Sequence, residues 1–135
     1  MKVTRDRNGL LKALEYPEVQ IRNQAVDALV ELRDVEGLCK VLAHDSYRAE
    51  AAELLGEIGD RSAVSHLLRH VEGSDSFTKD RIVRALGKLG GSEAVQTLRR
   101  MLKDDDPLIV TTVRVTLFDM DDPEAKQALW DVGHI

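Results

Sequence analysis

Apolar residues recur along this chain in stripes of helical period. Ile21, Ala25, Val26 and Leu29 stand at i, i+4, i+5 and i+8, which puts them on one face of a helix. The spacing returns as Tyr47, Ala51, Ala52, Leu55, then Thr78, Ile82, Val83, Leu86, and then Ile109, Val113, Arg114, Leu117. Each of these first (A) stripes is followed by a second (B) stripe. The B stripes are Val35, Leu38, Leu42; Val64, Leu67, Leu68, Val71; Val95, Leu98, Leu102; and Ala125, Ala128, Leu129, Val132. A lone stripe of Leu10, Leu11 and Leu14 opens the chain. The last leucines of the A stripes are 26, 31 and 31 residues apart, and GEIGDRSAVSHLLRHV (Gly56–Val71) comes back as GKLGGSEAVQTLRRML (Gly87–Leu102). Self-similarity at such a period marks a stacked repeat, in which no helix pair can bury its apolar face alone.

The pattern predicts an all-α fold, a right-handed α-α superhelix of about nine helices arranged as four A/B pairs behind one leading helix. The helices are expected near residues 4–15, 18–32/34–44, 46–58/61–72, 77–89/92–103 and 107–119/123–132. One domain over residues 1–135 follows, with a half-repeat at 4–15 and repeats at 17–45, 46–75, 76–106 and 107–135. Pro17, Pro107 and Pro123 suit first helical turns, where a missing N–H costs nothing. Asp106 and Asp122 suit N-caps, with Thr4, Asp34 and Ser92 as further caps. Gly59 and Gly90 suit left-handed C-caps, and Gly73-Ser74-Asp75-Ser76 joins the second unit to the third.

At 43% apolar and 4% aromatic the core must be aliphatic, and the single cysteine, Cys39, points to a reducing, cytoplasmic setting. No cleavable signal pattern opens the chain, and no apolar run is long enough to cross a bilayer. A net charge of −5 counts against a generic nucleic-acid binder.

Two segments resemble a known family. Pro17-Glu-Val-Gln-Ile21-Arg22-Asn-Gln-Ala25-Val26-Asp-Ala-Leu29 resembles the first helix of a HEAT repeat. Ala51-Ala52-Glu-Leu-Leu55-Gly56-Glu-Ile58-Gly59-Asp60-Arg-Ser-Ala63-Val64 is similar to the short HEAT-like repeats of phycobilisome bilin lyases. The resemblance implies a binding solenoid whose B helices line the concave surface. Unit four departs from it, since Leu117-Phe118-Asp119-Met120 replaces the glycine turn and Arg114 stands at a core position. Deoxyhypusine hydroxylase, a di-iron enzyme on the same fold, uses His-Glu pairs. None occurs here, which argues against an iron site.

The candidate binding residues are cations on the outward face of the B helices: Lys40, His44, Arg69, His70, Arg99, Arg100 and Lys103. Such a row suits an acidic protein surface, a carboxylated small molecule or phosphates. His66 and His70 share a helix face but lack the acid of a zinc motif, so they read as solvent-side polar residues. Asp104-Asp105-Asp106 and Asp119, Asp121, Asp122 lack a calcium-loop pattern and read as caps and turns. Arg22, Arg48 and Lys79 recur at one register and read as structural pairs between units, as do Asp34 and Asp60. Cys39 has no base in reach and reads as a core thiol. Trp130 reads as a cover for the C-terminal end of the stack or an anchor for a second copy, so homodimerisation through a stack end stays open. The expectation is a non-catalytic scaffold with no metal and no cofactor that binds another protein through the B face. A bilin-lyase-like accessory, holding a chromophore or its acceptor protein, and a nucleic-acid backbone binder are the alternatives.

Overall fold

A computed structural model describes residues 6–133. The described residues form α1 (Arg7–Ala13), α2 (Val19–Glu31), α3 (Val35–Val41), α4 (Arg48–Ile58), a 3-10 turn (Arg61–Ala63), α5 (Val64–Arg69), α6 (Ser76–Leu89), α7 (Ser92–Met101), α8 (Pro107–Asp119) and α9 (Pro123–Gly133). No strand occurs among them. The even helices are the A layer of an α-solenoid. The odd helices from α3 onward are the B layer, and α1 packs on α2 and α3 as the expected leading B-type helix. The stripes meet in one continuous aliphatic core running from Leu10 to Ala128.

Most caps form where the residue types call for them. Pro107 opens α8 and Pro123 opens α9. The Asp106 and Asp122 carboxylates accept from the amides of Leu108 (2.9 Å) and Glu124 (2.8 Å). Asp34 accepts from Gly37 N–H at 3.0 Å, and Asp75, in the tract that joins two units, accepts from Thr78 N–H at 2.8 Å. Gly59 closes α4 with φ 83°, in the left-handed region. Three expectations fail. Pro17 lies before α2, which begins at Val19 behind Glu18. Ser92 is the first residue of α7 rather than its cap; Gly91, with φ 97°, holds the cap position. Gly90 closes α6 at φ 73° but ψ −166°, which is not the left-handed helical conformation. The Thr4 cap lies outside the described residues, and Asp6 caps α1 through Gly9 N–H.

The A helices are held at unequal distances. A Cβ added to Gly56 of α4 would lie 2.9 Å from the Cα of Ala85 on α6, so only glycine permits this approach. A Cβ added to Gly87 of α6 would collide with the Thr116 methyl of α8 one repeat on, a side chain rather than backbone. In the first unit the corresponding pair is Val30 and Leu54, both larger, and α2 does not pack closely against α4.

Arg22 and Arg48 tie one unit to the next, and Lys79 pairs within the third. Arg22 donates to the carbonyl oxygens of Tyr16 (2.7 Å) and Pro17 (2.8 Å) and to the Tyr47 hydroxyl (3.1 Å). Arg48 reaches the Leu42 carbonyl at 2.6 Å and Ser74 at 3.4 Å, and Lys79 reaches Asp104 at 3.3 Å. Cations at helix C-termini meet carbonyls that have no helical partner. The cross-unit reading holds for Arg22 and Arg48, whereas Lys79 pairs inside its own unit and Asp60 caps the adjoining turn through Ser62 N–H.

Asp34 joins two roles, because it caps α3 while the Arg7 guanidinium of α1 grips its carboxylate at 2.9 Å. The hydrogen bond from Arg7, ahead of the Gly37 amide, holds this carboxyl below its usual range. A depressed folded pKa stabilises the protein above the ordinary carboxylate pKa of about 4, and that contribution is lost as pH falls through the folded value. Asp34→Asn is expected to lower the melting temperature by a few degrees at neutral pH. It should also reduce the further loss on acidification, read by thermal melts at a series of pH values. An unchanged acid limb would remove the assignment.

Candidate functional site

Counting from each ladder leucine of the A helices, the positions five before, two before and two after fall at i, i+3 and i+7, on one outward face. On α2 they are Gln24, Asp27 and Glu31, and on α4 Glu50, Glu53 and Glu57. On α6 they are Arg81, Arg84 and Lys88, and on α8 Thr112, Val115 and Asp119. The A face thus carries two acidic columns, then a basic one, then one with an apolar edge, since Leu108 and Val115 are 58% and 55% exposed.

A groove of about 760 Å³ opens along this face. Arg81, Arg84 and Lys88 form one wall and Leu108 and Val115 the other, with Ala85, Gly87 and Thr116 between them and Glu53 at the α4 edge. A smaller cleft of about 230 Å³, bordered by Asn23, Val26, Asp27 and Glu50, lies where α2 stands off from α4.

The basic wall is built around a buried acid. Asp80 of α6 is 7% exposed. One of its oxygens accepts from the Thr112 hydroxyl of α8 at 2.8 Å; the other accepts from Arg81 at 2.7 Å and Arg84 at 3.0 Å. Arg81 also lies over the Phe77 ring, 4.5 Å from its centre, and 3.7 Å from Glu53. Its guanidinium is therefore fixed on three sides, while Arg84 keeps much of its surface in water and Lys88 is exposed.

The seven B-face candidates lie elsewhere, and none borders the groove. Lys40, Arg69, Arg100 and Lys103 are exposed and form no ion pair among the described residues. Arg99 is exposed but pairs with Asp131 of α9. His44 is half-buried, with Nε2 3.9 Å from a Glu15 carboxylate oxygen. The helix expected over 61–72 is a 3-10 turn followed by the six-residue α5, so His70 becomes its C-cap. His66 and His70 are both half-buried, which corrects their placement on the solvent side. Burial, and then the nearby Arg48, His66 and Arg69, push the His70 pKa below its usual value.

Sequence reasoning saw the cations of α6 but not the columns. The signal was available at the 31-residue register, on positions the core stripes leave out.

Among the described residues no group of three or more His, Cys, Asp or Glu is arranged to hold a metal, and no helix is long and apolar enough to cross a membrane. Cys39 is 5% exposed, and burial pushes its thiol up to about 11, which disfavours the reactive thiolate at neutral pH.

The family model for HEAT repeats matches residues 35–117 and again 78–134. This chain belongs to the HEAT-repeat family. No curated protein matches it. HEAT repeats generally serve as scaffolds for protein interaction and are typically non-enzymatic. The matched region begins at α3, just after the A helix that has Val30 in place of the glycine. At the other end of this HEAT stack Arg114 is exposed on the open side of α8, Trp130 is 62% exposed, and Lys126 lies over the Phe118 ring at 5.0 Å.

Proposed function

We propose that this HEAT-repeat chain is a non-catalytic adaptor that docks a protein partner on its A face, the whole chain acting as one unit. The groove between the basic wall of α6 and the apolar edge of α8 carries the reading. A pocket of mixed charge with an apolar side suits a protein surface. The acidic columns of α2 and α4 on the same face would repel nucleic-acid phosphates and the propionates of a bilin. A second reading retains the B face, because Lys40, Arg69, Arg100 and Lys103 are exposed without ion-pair partners among the described residues.

A photo-crosslinking side chain placed at Val115 or at Arg69 separates the two. In extract from the native source, protein adducts are expected from position 115. Adducts from position 69 alone would move the site to the B face, and adducts from neither would remove the adaptor reading.

A further inference from the structure

We propose that the α6–α8 groove takes an amphipathic helix of the partner, acidic on the edge that meets α6 and aliphatic on the edge that meets α8. The proposal rests on the A-face reading above and adds the chemistry of the occupant. Arg81, Arg84 and Lys88 stand at i, i+3 and i+7, so the cations span about 10 Å at 1.5 Å per residue. A partner helix has the same rise, and carboxylates at the same spacing meet all three. Leu108 and Val115 are also seven residues apart, so aliphatic side chains one quarter-turn away on that partner meet the other wall.

The molecule contains a precedent for the polar half. Glu50, Glu53 and Glu57 of α4 repeat the same spacing beside α6, and Glu53 comes within 3.7 Å of Arg81. On the opposite side of the basic column α8 carries one carboxylate rather than three at the equivalent positions, Thr112, Val115 and Asp119, the last bordering the groove. Charge complementarity therefore favours an acidic occupant over the groove. Asp80 strengthens the case by fixing the Arg81 and Arg84 guanidiniums before anything binds, so less side-chain freedom is lost on docking. The small residues Ala85, Gly87 and Thr116 between the walls leave room for a helix to lie low.

The probe is a synthetic, fluorescently labelled helix of about 18 residues, with glutamates at i, i+3 and i+7 and leucines on the adjoining face. Two relatives accompany it, one with the glutamates replaced by lysine and one with the leucines replaced by serine. Anisotropy titrations against the full chain at low salt should rank the acidic peptide first, and its affinity should fall as salt is added. Arg84→Glu with Lys88→Glu should weaken the acidic peptide by about tenfold or more and strengthen the lysine peptide. Val115→Ser should weaken the acidic peptide without changing its salt dependence. All three side chains are exposed, and melting curves confirm that the variants fold.

Failure of every peptide to bind overturns the proposal, as does equal binding of the acidic and lysine peptides. Loss of binding through Arg69→Glu with Arg100→Glu, or sedimentation showing that Arg84→Glu with Lys88→Glu splits a dimer of this chain, overturns it as well. If the peptides fail while position 115 still crosslinks a protein, only the chemistry of the occupant falls; if position 115 is also silent, the docking face falls with it.

Discussion

Gly56→Val is expected to cost about 3 kcal/mol or more and to lower the melting temperature by on the order of 10 °C. The new side chain would meet backbone. A Cβ at this site lies 2.9 Å from the Ala85 Cα, and the next nearest atom is the Ala85 Cβ. Neither can rotate away, so α4 and α6 must separate along the tightest joint of the A layer. Gly87→Ala provides the contrast. Its Cβ collides with the Thr116 methyl, which lies on a side chain that can turn, and the nearest other atom is 3.7 Å away. Urea titrations of the two variants should show the first as the larger loss by a clear margin. Equal losses would mean that the close approach of α4 to α6 is not set by Gly56.

Replacing both Arg81 and Arg84 with alanine should cost more than replacing Asp80 itself. With the arginines gone, Asp80 loses both cationic partners and keeps the Thr112 hydroxyl. A carboxylate stripped of two charge-assisted hydrogen bonds is destabilising, here by about 2 kcal/mol. Asp80→Ala leaves the donors better placed. Thr112 keeps the Leu108 carbonyl at 3.0 Å, Arg81 keeps Glu53 and the Phe77 ring, and Arg84 turns to water. That loss should be about 1 kcal/mol. The triple variant lacking all three side chains should then be more stable than the double arginine variant, as read by denaturant midpoints. A triple variant weaker than the double would show that the carboxylate is not the strained member of the group.

Much of the fold was legible because burial follows period. The A and B stripes fell on helices, and Asp106-Pro107 and Asp122-Pro123 started helices where a cap and a missing amide belong. Tertiary contacts were less legible. Gly56 and Gly87 were visible as repeat letters, but nothing local says that each faces the next A helix rather than ending its own. The place of His70 was hidden for a similar reason, since α5 stops one residue before it and Ser74 then binds its carbonyl. The columns of the A face were missed through the choice of alignment. Matching units on buried leucines draws attention to the core, whereas the columns of α4 and α6 lie at positions the core does not use.

The bulky pair Val30 and Leu54, where the later units have Gly56 facing Ala85 and Gly87 facing Thr116, has a further consequence. In a linear array, stability is a sum of nearest-neighbour couplings, and cooperativity breaks where a coupling is weakest. Here that point lies between α2 and α4. The segment α1–α3 is therefore expected to open first, read as faster amide exchange there than in the helices from α4 onward. The acidic cleft lies at this junction, whereas the basic column of α6 lies on the side of the closer α4–α6 contact.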